Sequence, residues 1–206
     1  MTEQQPTTLE RIHLAARAEF REKGFPSASL RSIVKSLGMT TGAFYGYYPS
    51  KEALYEALVG PHYDYLIRRF RQAQSEFAHL PHHRPPDELG SFSGGCMFDM
   101  LHYAYDHLEE CQLLLTASEG TRFAGLVDEM VEIEVTATHD YMAVLGELGR
   151  PAPRLDPRLE HILITGMFRT FFELILHAMP LEEAENYLRQ MRAFYTAGWL
   201  EVMGQS

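Results

Sequence analysis

Residues 29–51 read SLRSIVKSLGMTTGAFYGYYPSK, and this stretch decides the fold. A side-chain oxygen can accept a bond from a free amide at a helix start, so Ser29 is expected to N-cap a helix through Leu30, Ile33, Val34 and Leu37. Those apolar positions recur at helical spacing along one face. Gly38 supplies the left-handed residue that stops such a helix, and Thr40 is a second N-cap for a helix from Thr41 to about Tyr47. Pro49 ends it, because proline disfavours helix in the residue before it. Ser50 caps a third helix, with Glu52 in its first turn near the positive end of the dipole.

A helix, a tight turn containing glycine and a second short helix make a helix-turn-helix. In the second helix only Ala43, Phe44 and Tyr48 suit a core. Thr41, Gly42, Tyr45, Gly46 and Tyr47 leave a slim, hydroxyl-rich face. Such a face fits a major groove, where hydroxyls reach phosphates and base edges and small residues permit close approach. The bland alternative is a helical hairpin with exposed tyrosines.

At these residues the chain resembles the TetR family of bacterial transcription regulators. The pattern runs through Phe20, Gly24 and Phe25, then Ser29, Ile33, Gly38, Gly42, Phe44 and Tyr45, to Tyr48-Pro49-Ser50-Lys51-Glu52. The likeness covers about residues 8–58 and is specific because many positions agree in order. Two departures occur. Thr40-Thr41 stands where the family often has Ser-Lys, and Gly46-Tyr47 where it often has His-His, so the contact of that family lysine is not carried over.

The resemblance implies a DNA-binding set of Ser29, Arg31, Thr40, Thr41, Gly42, Ala43, Tyr45, Tyr47 and Lys51. Thr41 and Tyr47 are expected at base edges, with Ser29, Thr40, Tyr45 and Lys51 holding phosphates. It also implies a sequence-specific regulator, a repressor released from a near-palindromic operator by a small-molecule effector. An architectural DNA-binding protein without ligand response is the competing reading. No catalytic set, phosphate-binding loop or nucleophile elbow is present, so an enzyme is not expected.

Net charge is −10, which looks wrong for a DNA binder until it is divided. Residues 1–60 hold seven Lys and Arg against six Asp and Glu, and residues 61–206 hold eleven against twenty-two. An acidic remainder disfavours wrapping DNA around the whole protein, so contact should be confined to the head. The longest apolar run, Ile162 to Leu176, is broken by Arg169 and Glu173 and is no membrane span. Cys96 and Cys111 form no CxxC motif, and the first thirty residues carry charges throughout. Together these features predict a cytoplasmic protein with no membrane partner.

The fold class expected is all-α, with about nine helices. A three-helix head over 1–52, whose first helix runs from Thr8 to Lys23 and ends at Gly24, precedes a helical ligand-binding and dimerisation body over 53–206. The connecting helix, 51–80, should kink near Gly60 because Pro61 lacks an amide and crowds the carbonyl of Ala57. Loops are expected at 81–87, which contains His82 and His83, and at 149–157. Further helices are expected near 97–108, 113–117, 123–148, 158–179 and 181–203. Ten histidines show no dense ligand spacing with Cys, Asp or Glu, so neither a metal nor a cofactor is expected.

The last two helices are apolar on more than one side. One stripe can pack on the protein's own core and another on a second subunit. The family's homodimeric four-helix bundle implies an interface of Phe171, Leu174, Leu188, Met191, Tyr195, Trp199 and Val202. A large monomer core is the alternative. Apolar walls with a few polar groups suit a small-molecule pocket, expected at Phe98, Leu101, Tyr105, Met130, Met167, Phe168 and Phe171. Glu134 lies within the apolar face of its helix. It is either the pocket's polar contact or half of a structural ion pair with an arginine.

Overall fold

The computed structural model describes residues 5–79, 86–149 and 155–202, and every regular element among them is an α-helix. In chain order these are α1 (Thr8–Ser27), α2 (Leu30–Ser36), α3 (Thr41–Tyr45), α4 (Lys51–Ala78), α5 (Pro86–Asp106), α6 (Leu108–Thr116), α7 (Leu126–Glu147), α8 (Pro157–Leu176) and α9 (Leu181–Val202). The 81–87 loop with its two histidines lies outside the described residues up to 85, and α5 already begins at Pro86. Most of the 149–157 loop also lies outside them. No described helix is long and apolar enough to cross a membrane.

Local chemistry explains most boundaries. Thr7 and Glu10 form a reciprocal capping box, with Glu10 Oε2 accepting from the Thr7 amide at 2.7 Å. Gly24 does not end α1 as expected. It kinks the helix at φ 70° and ψ 162°, and one further turn runs through Phe25 and Pro26 to Ser27. That backbone geometry is open to glycine and closed to residues with a Cβ. Helix α4 likewise runs unbroken through Pro61 for 28 residues. Asp156 caps α8 by accepting from the amides of Arg158 and Leu159, and Pro157 occupies the first turn, where its missing amide is no loss.

The chain divides into two compact units, and the division differs from the one expected. The first comprises residues up to Asp64 together with His107–Ala124; the second comprises Tyr65–Asp106 and Gly125 onward. The head therefore extends past residue 52 and recruits α6 from far along the chain. Apolar burial is the reason. Phe20 and Phe25 pack edge-on against Tyr55 at 4.9 and 5.1 Å between ring centroids. The Tyr55 hydroxyl donates to the Leu113 carbonyl at 3.1 Å and lies 2.9 Å from Ser118 Oγ. Arg17 on α1 reaches Glu110 on α6 at 2.6 Å, and the Phe25 amide donates to the Ala117 carbonyl at 3.0 Å.

In the second unit α7 packs on α8, and α5 packs on both α8 and α9. Met100, Leu101, Met130, Ile164, Phe168, Phe171 and Ile175 are wholly buried there. The hydroxyl of Tyr105 on α5 donates to the carbonyls of Leu174 and Met179, which ties down the turn between α8 and α9. Arg169 and Glu173, which break the apolar run of α8, are exposed, and Glu173 pairs with His177 one turn on.

Candidate nucleic-acid interface

The helix-turn-helix is held from behind. Ile33 and Val34 of α2 and Phe44 of α3 are buried, Phe44 completely. Between the two helices Gly38 takes φ 64°, the left-handed conformation expected at this stop. The Arg11 guanidinium donates to the Leu37 carbonyl at 3.3 Å, covering an acceptor at the end of α2. Thr40 Oγ1 accepts from the Ala43 amide at 3.2 Å, the cap that starts α3.

One residue anchors α3, and the rest of it faces outward. Thr40, Thr41, Gly42, Ala43, Tyr45 and Tyr47 are all exposed, as is Arg31 on α2. A Cβ built at Gly42 would meet no atom within 4 Å, so its absence leaves open surface beside Thr41. Helix α3 is shorter than expected: it closes at Tyr45 with Gly46 as C-cap, which puts Tyr47 in the following turn. Behind this turn, Tyr48 OH lies 2.6 Å from His13 Nε2 on α1.

Two expectations at this interface need correction. Ser29 sits at the N-cap of α2, but its side chain makes no capping bond. Its amide instead donates to Glu19 Oε1 at 3.0 Å, and Lys23 Nζ donates to the same oxygen at 2.9 Å. Burial works against a charge on Glu19, yet the bonds from Lys23 and the Ser29 amide hold its carboxyl below the usual range. Glu19 was missed in the sequence. The signal was present: it is a carboxylate at an inward position of α1, between Ala16 and Phe20.

Lys51 is the second correction. It was expected at a phosphate, but its ammonium donates to the carbonyls of Phe25, Pro26 and Ala28 at 2.7, 3.2 and 3.2 Å. The three donors of the ammonium are thereby committed to the carbonyls that end α1.

The residues expected at an effector pocket are mostly core. Leu101, Met130, Phe168 and Phe171 have no exposure, Phe98 and Met167 are partly buried, and Tyr105 uses its hydroxyl on backbone. Glu134 pairs with no arginine among the described residues. Its Oε2 accepts from Gln74 Nε2 at 2.6 Å, and burial, aided by the charge of Glu160, pushes its carboxyl up to about 7. An open groove of about 490 Å³ does exist between α4 and α7, but none of these eight residues lines it.

The expected interface residues also split. Phe171, Leu174 and Leu188 are buried inside the protomer and are not available to a partner. Met191, Tyr195, Trp199 and Val202 are only partly covered. The large apolar side chains left exposed on these helices are Leu159, Ile162, Leu181, Tyr187 and Phe194, the last at 73%.

Residues 12–58 match the family model described as bacterial regulatory proteins, tetR family. Over this segment the chain is similar to the TetR family. The matched segment takes in most of α1, all of α2 and α3, and the first turns of α4. The HTH-type transcriptional regulator UidR of Escherichia coli K12 is 44% identical over 71 residues, which is 34% of this chain and 36% of UidR. The uncharacterized HTH-type transcriptional regulator YuxN of Bacillus subtilis is 42% identical over 50 residues, 24% of this chain and 17% of that protein. The match therefore spans about a third or less of these relatives' own lengths.

Solved structures extend the likeness to the rest of the fold. A TetR transcriptional regulator family member from Streptomyces coelicolor A3 superposes with a TM-score of 0.57, covering 96% of this chain and 93% of that one at 15% identity. GusR of Salmonella enterica gives 0.54 at 20% identity, covering 96% and 97%. At such identities the agreement concerns the all-helical fold alone.

Proposed function

We propose that this chain is a sequence-specific DNA-binding transcription regulator, acting as a homodimeric repressor on a near-palindromic operator in the bacterial cytoplasm. One observation carries the reading: α3 is buried only through Phe44 and presents Thr40, Thr41, Tyr45 and Tyr47 around a glycine with open space above it. Hydroxyls beside a gap of that kind suit close approach to a duplex groove. Thr41 and Tyr47 serve as base readers. Ser29, whose hydroxyl is not used in capping, joins Arg31, Thr40 and Tyr45 at phosphates. Lys35, exposed in the last turn of α2, adds a cation the sequence reading passed over.

The exposed Leu159, Ile162, Tyr187 and Phe194 on α8 and α9 support pairing with a second copy. A two-fold dimer brings two heads to two half-sites, which sets their spacing on the operator. A small-molecule effector bound in the second unit shifts the population of DNA-competent dimers and releases the operator.

Selection from a random duplex library, followed by binding of wild type and Thr41→Ala over a salt series, tests the reading. Wild type should recover a palindromic site. The variant should lose preference at one or two base pairs, by about 1–3 kcal/mol each. Equal binding to all duplexes, before and after the substitution, would make the chain an architectural binder instead.

A further inference from the structure

We propose that the groove between α4 and α7 binds a small organic cation, an ammonium carried on an apolar or aromatic body. The groove holds about 490 Å³, within the range of roughly 300–1,000 Å³ that takes a drug-sized molecule. Its apolar wall includes Phe77 and Tyr141, whose rings meet edge-on at 5.3 Å, with Ile133 and Val144.

The charges around that wall are unbalanced. Among the described residues Arg71 is the one cation in the lining, and it pairs with Glu129 at 2.8 Å. Glu132 and Asp140, exposed at the same groove, have no ion-pair partner among the described residues. With Thr136 they stand four and eight residues apart, so they follow one line along α7. Behind the wall, the lining residue Gln74 donates its amide to the enclosed carboxylate of Glu134. Glu160 lies close enough to disfavour the Glu134 charge; its Oε2 meets His139 Nε2 at 2.9 Å, while its Oε1 is buried without a partner.

The rim therefore carries two carboxylates, Glu132 and Asp140, that no cation among the described residues neutralises. A cation seated against the apolar wall would gain from that field, while an anion would be repelled. The polar contacts choose the charge, and the rings accept the carbon skeleton, over which an ammonium can also lie. As an effector site the groove rests on the regulator reading above; as a binding site it stands without it.

The probe set is 4-phenylbutylammonium, 4-phenylbutanol and 4-phenylbutanoate, which share a skeleton and differ in charge. Each is titrated into the full chain, without DNA, at pH 7.5 and low salt, by calorimetry and saturation-transfer NMR. The ammonium should bind at least tenfold tighter than the alcohol, and the carboxylate should not bind. Glu132→Gln combined with Asp140→Asn, both at exposed positions, should weaken the ammonium several-fold and leave the alcohol unchanged. Equal affinity of ammonium and alcohol, tightest binding of the carboxylate, no binding of any probe, or indifference to the double substitution would each overturn the assignment. Operator selection is read separately, so a chain that binds its operator and ignores the ammonium sinks the groove alone.

Discussion

The ammonium of Lys51 lies 2.7 Å from the carbonyl oxygen of Phe25 and 4.5 Å from the centroid of the same residue's ring. One residue thus holds the cation through both its backbone and its aromatic face. Lys51→Met should lower the unfolding free energy by about 1–3 kcal/mol, the range for hydrogen bonds to a charged group. Urea unfolding reads this directly. The salt dependence of DNA binding should keep its slope; a slope reduced by about one unit with unchanged stability would return Lys51 to a phosphate.

Glycine at 24 and glycine at 38 both take positive φ, but in different regions. Gly38 is left-handed helical, a conformation that costs other residues about 1–2 kcal/mol. Gly24, at φ 70° and ψ 162°, lies where residues with a Cβ hardly occur. Steric room is not the issue, since an added Cβ meets nothing within 4 Å at 38 and only Pro26 at 3.7 Å at 24. Gly24→Ala should therefore destabilise more than Gly38→Ala. Thermal unfolding of the two variants in parallel gives the order, and the reverse order would contradict the torsional account.

Glu134 should set a pH dependence of stability. Its folded carboxyl keeps a proton up to about 7, whereas an ordinary one releases it near 4.5. Between those values the folded chain binds more protons than the unfolded chain, so stability falls as pH rises from 4.5 through 7 and then levels. Glu134→Gln removes this loss. It should stabilise the protein at pH 8 by up to about 3 kcal/mol and change little at pH 4. Chemical unfolding across that window checks the sign, and a variant less stable at pH 8 would show that the charged form is the favoured one.

Two substitutions separate core from interface on α9. Leu188 is 3% exposed and Phe194 is 73% exposed. Leu188→Glu buries a carboxylate inside the protomer and should unfold it. Phe194→Glu should leave a folded chain that sediments as a monomer and binds the operator far more weakly, because each dimer loses the contact twice. A Phe194→Glu variant that still sediments as a dimer would place the interface elsewhere.

The head was legible where its chemistry is local. Gly38, Thr40 and Ser50 act within three or four residues of themselves, so their spacing alone reveals the stop and the two caps. Lys51 was misread because its acceptors lie 23–26 residues earlier, at the end of α1, and no local pattern encodes that distance. Ser29 fails as a side-chain cap for the same reason: Glu19, ten residues upstream, already serves its amide. On α9 the stripe was visible, but a helix apolar over much of its surface does not say which half its own protomer covers. Packing of α5 and α8 decides that Leu188 is inside and Phe194 outside. Burial likewise turned the expected pocket walls at Met130 and Phe168 into core, since aromatic and Met side chains serve either purpose.

The recruitment of residues 107–124 into the first unit bears on how this helix-turn-helix head can be moved or shortened. An expressed fragment ending near Asp64 would strip Tyr55 of its acceptor at Leu113 and the Phe25 amide of Ala117. It would also uncover the aromatic cluster of Phe20, Phe25 and Tyr55 beside the lost Phe123. Fusing those sixty-four residues to another protein would transplant α3 without its floor. A portable version needs α6 and the turn after it spliced back by a linker, so in this chain the unit of folding is discontinuous even though the family signature is not.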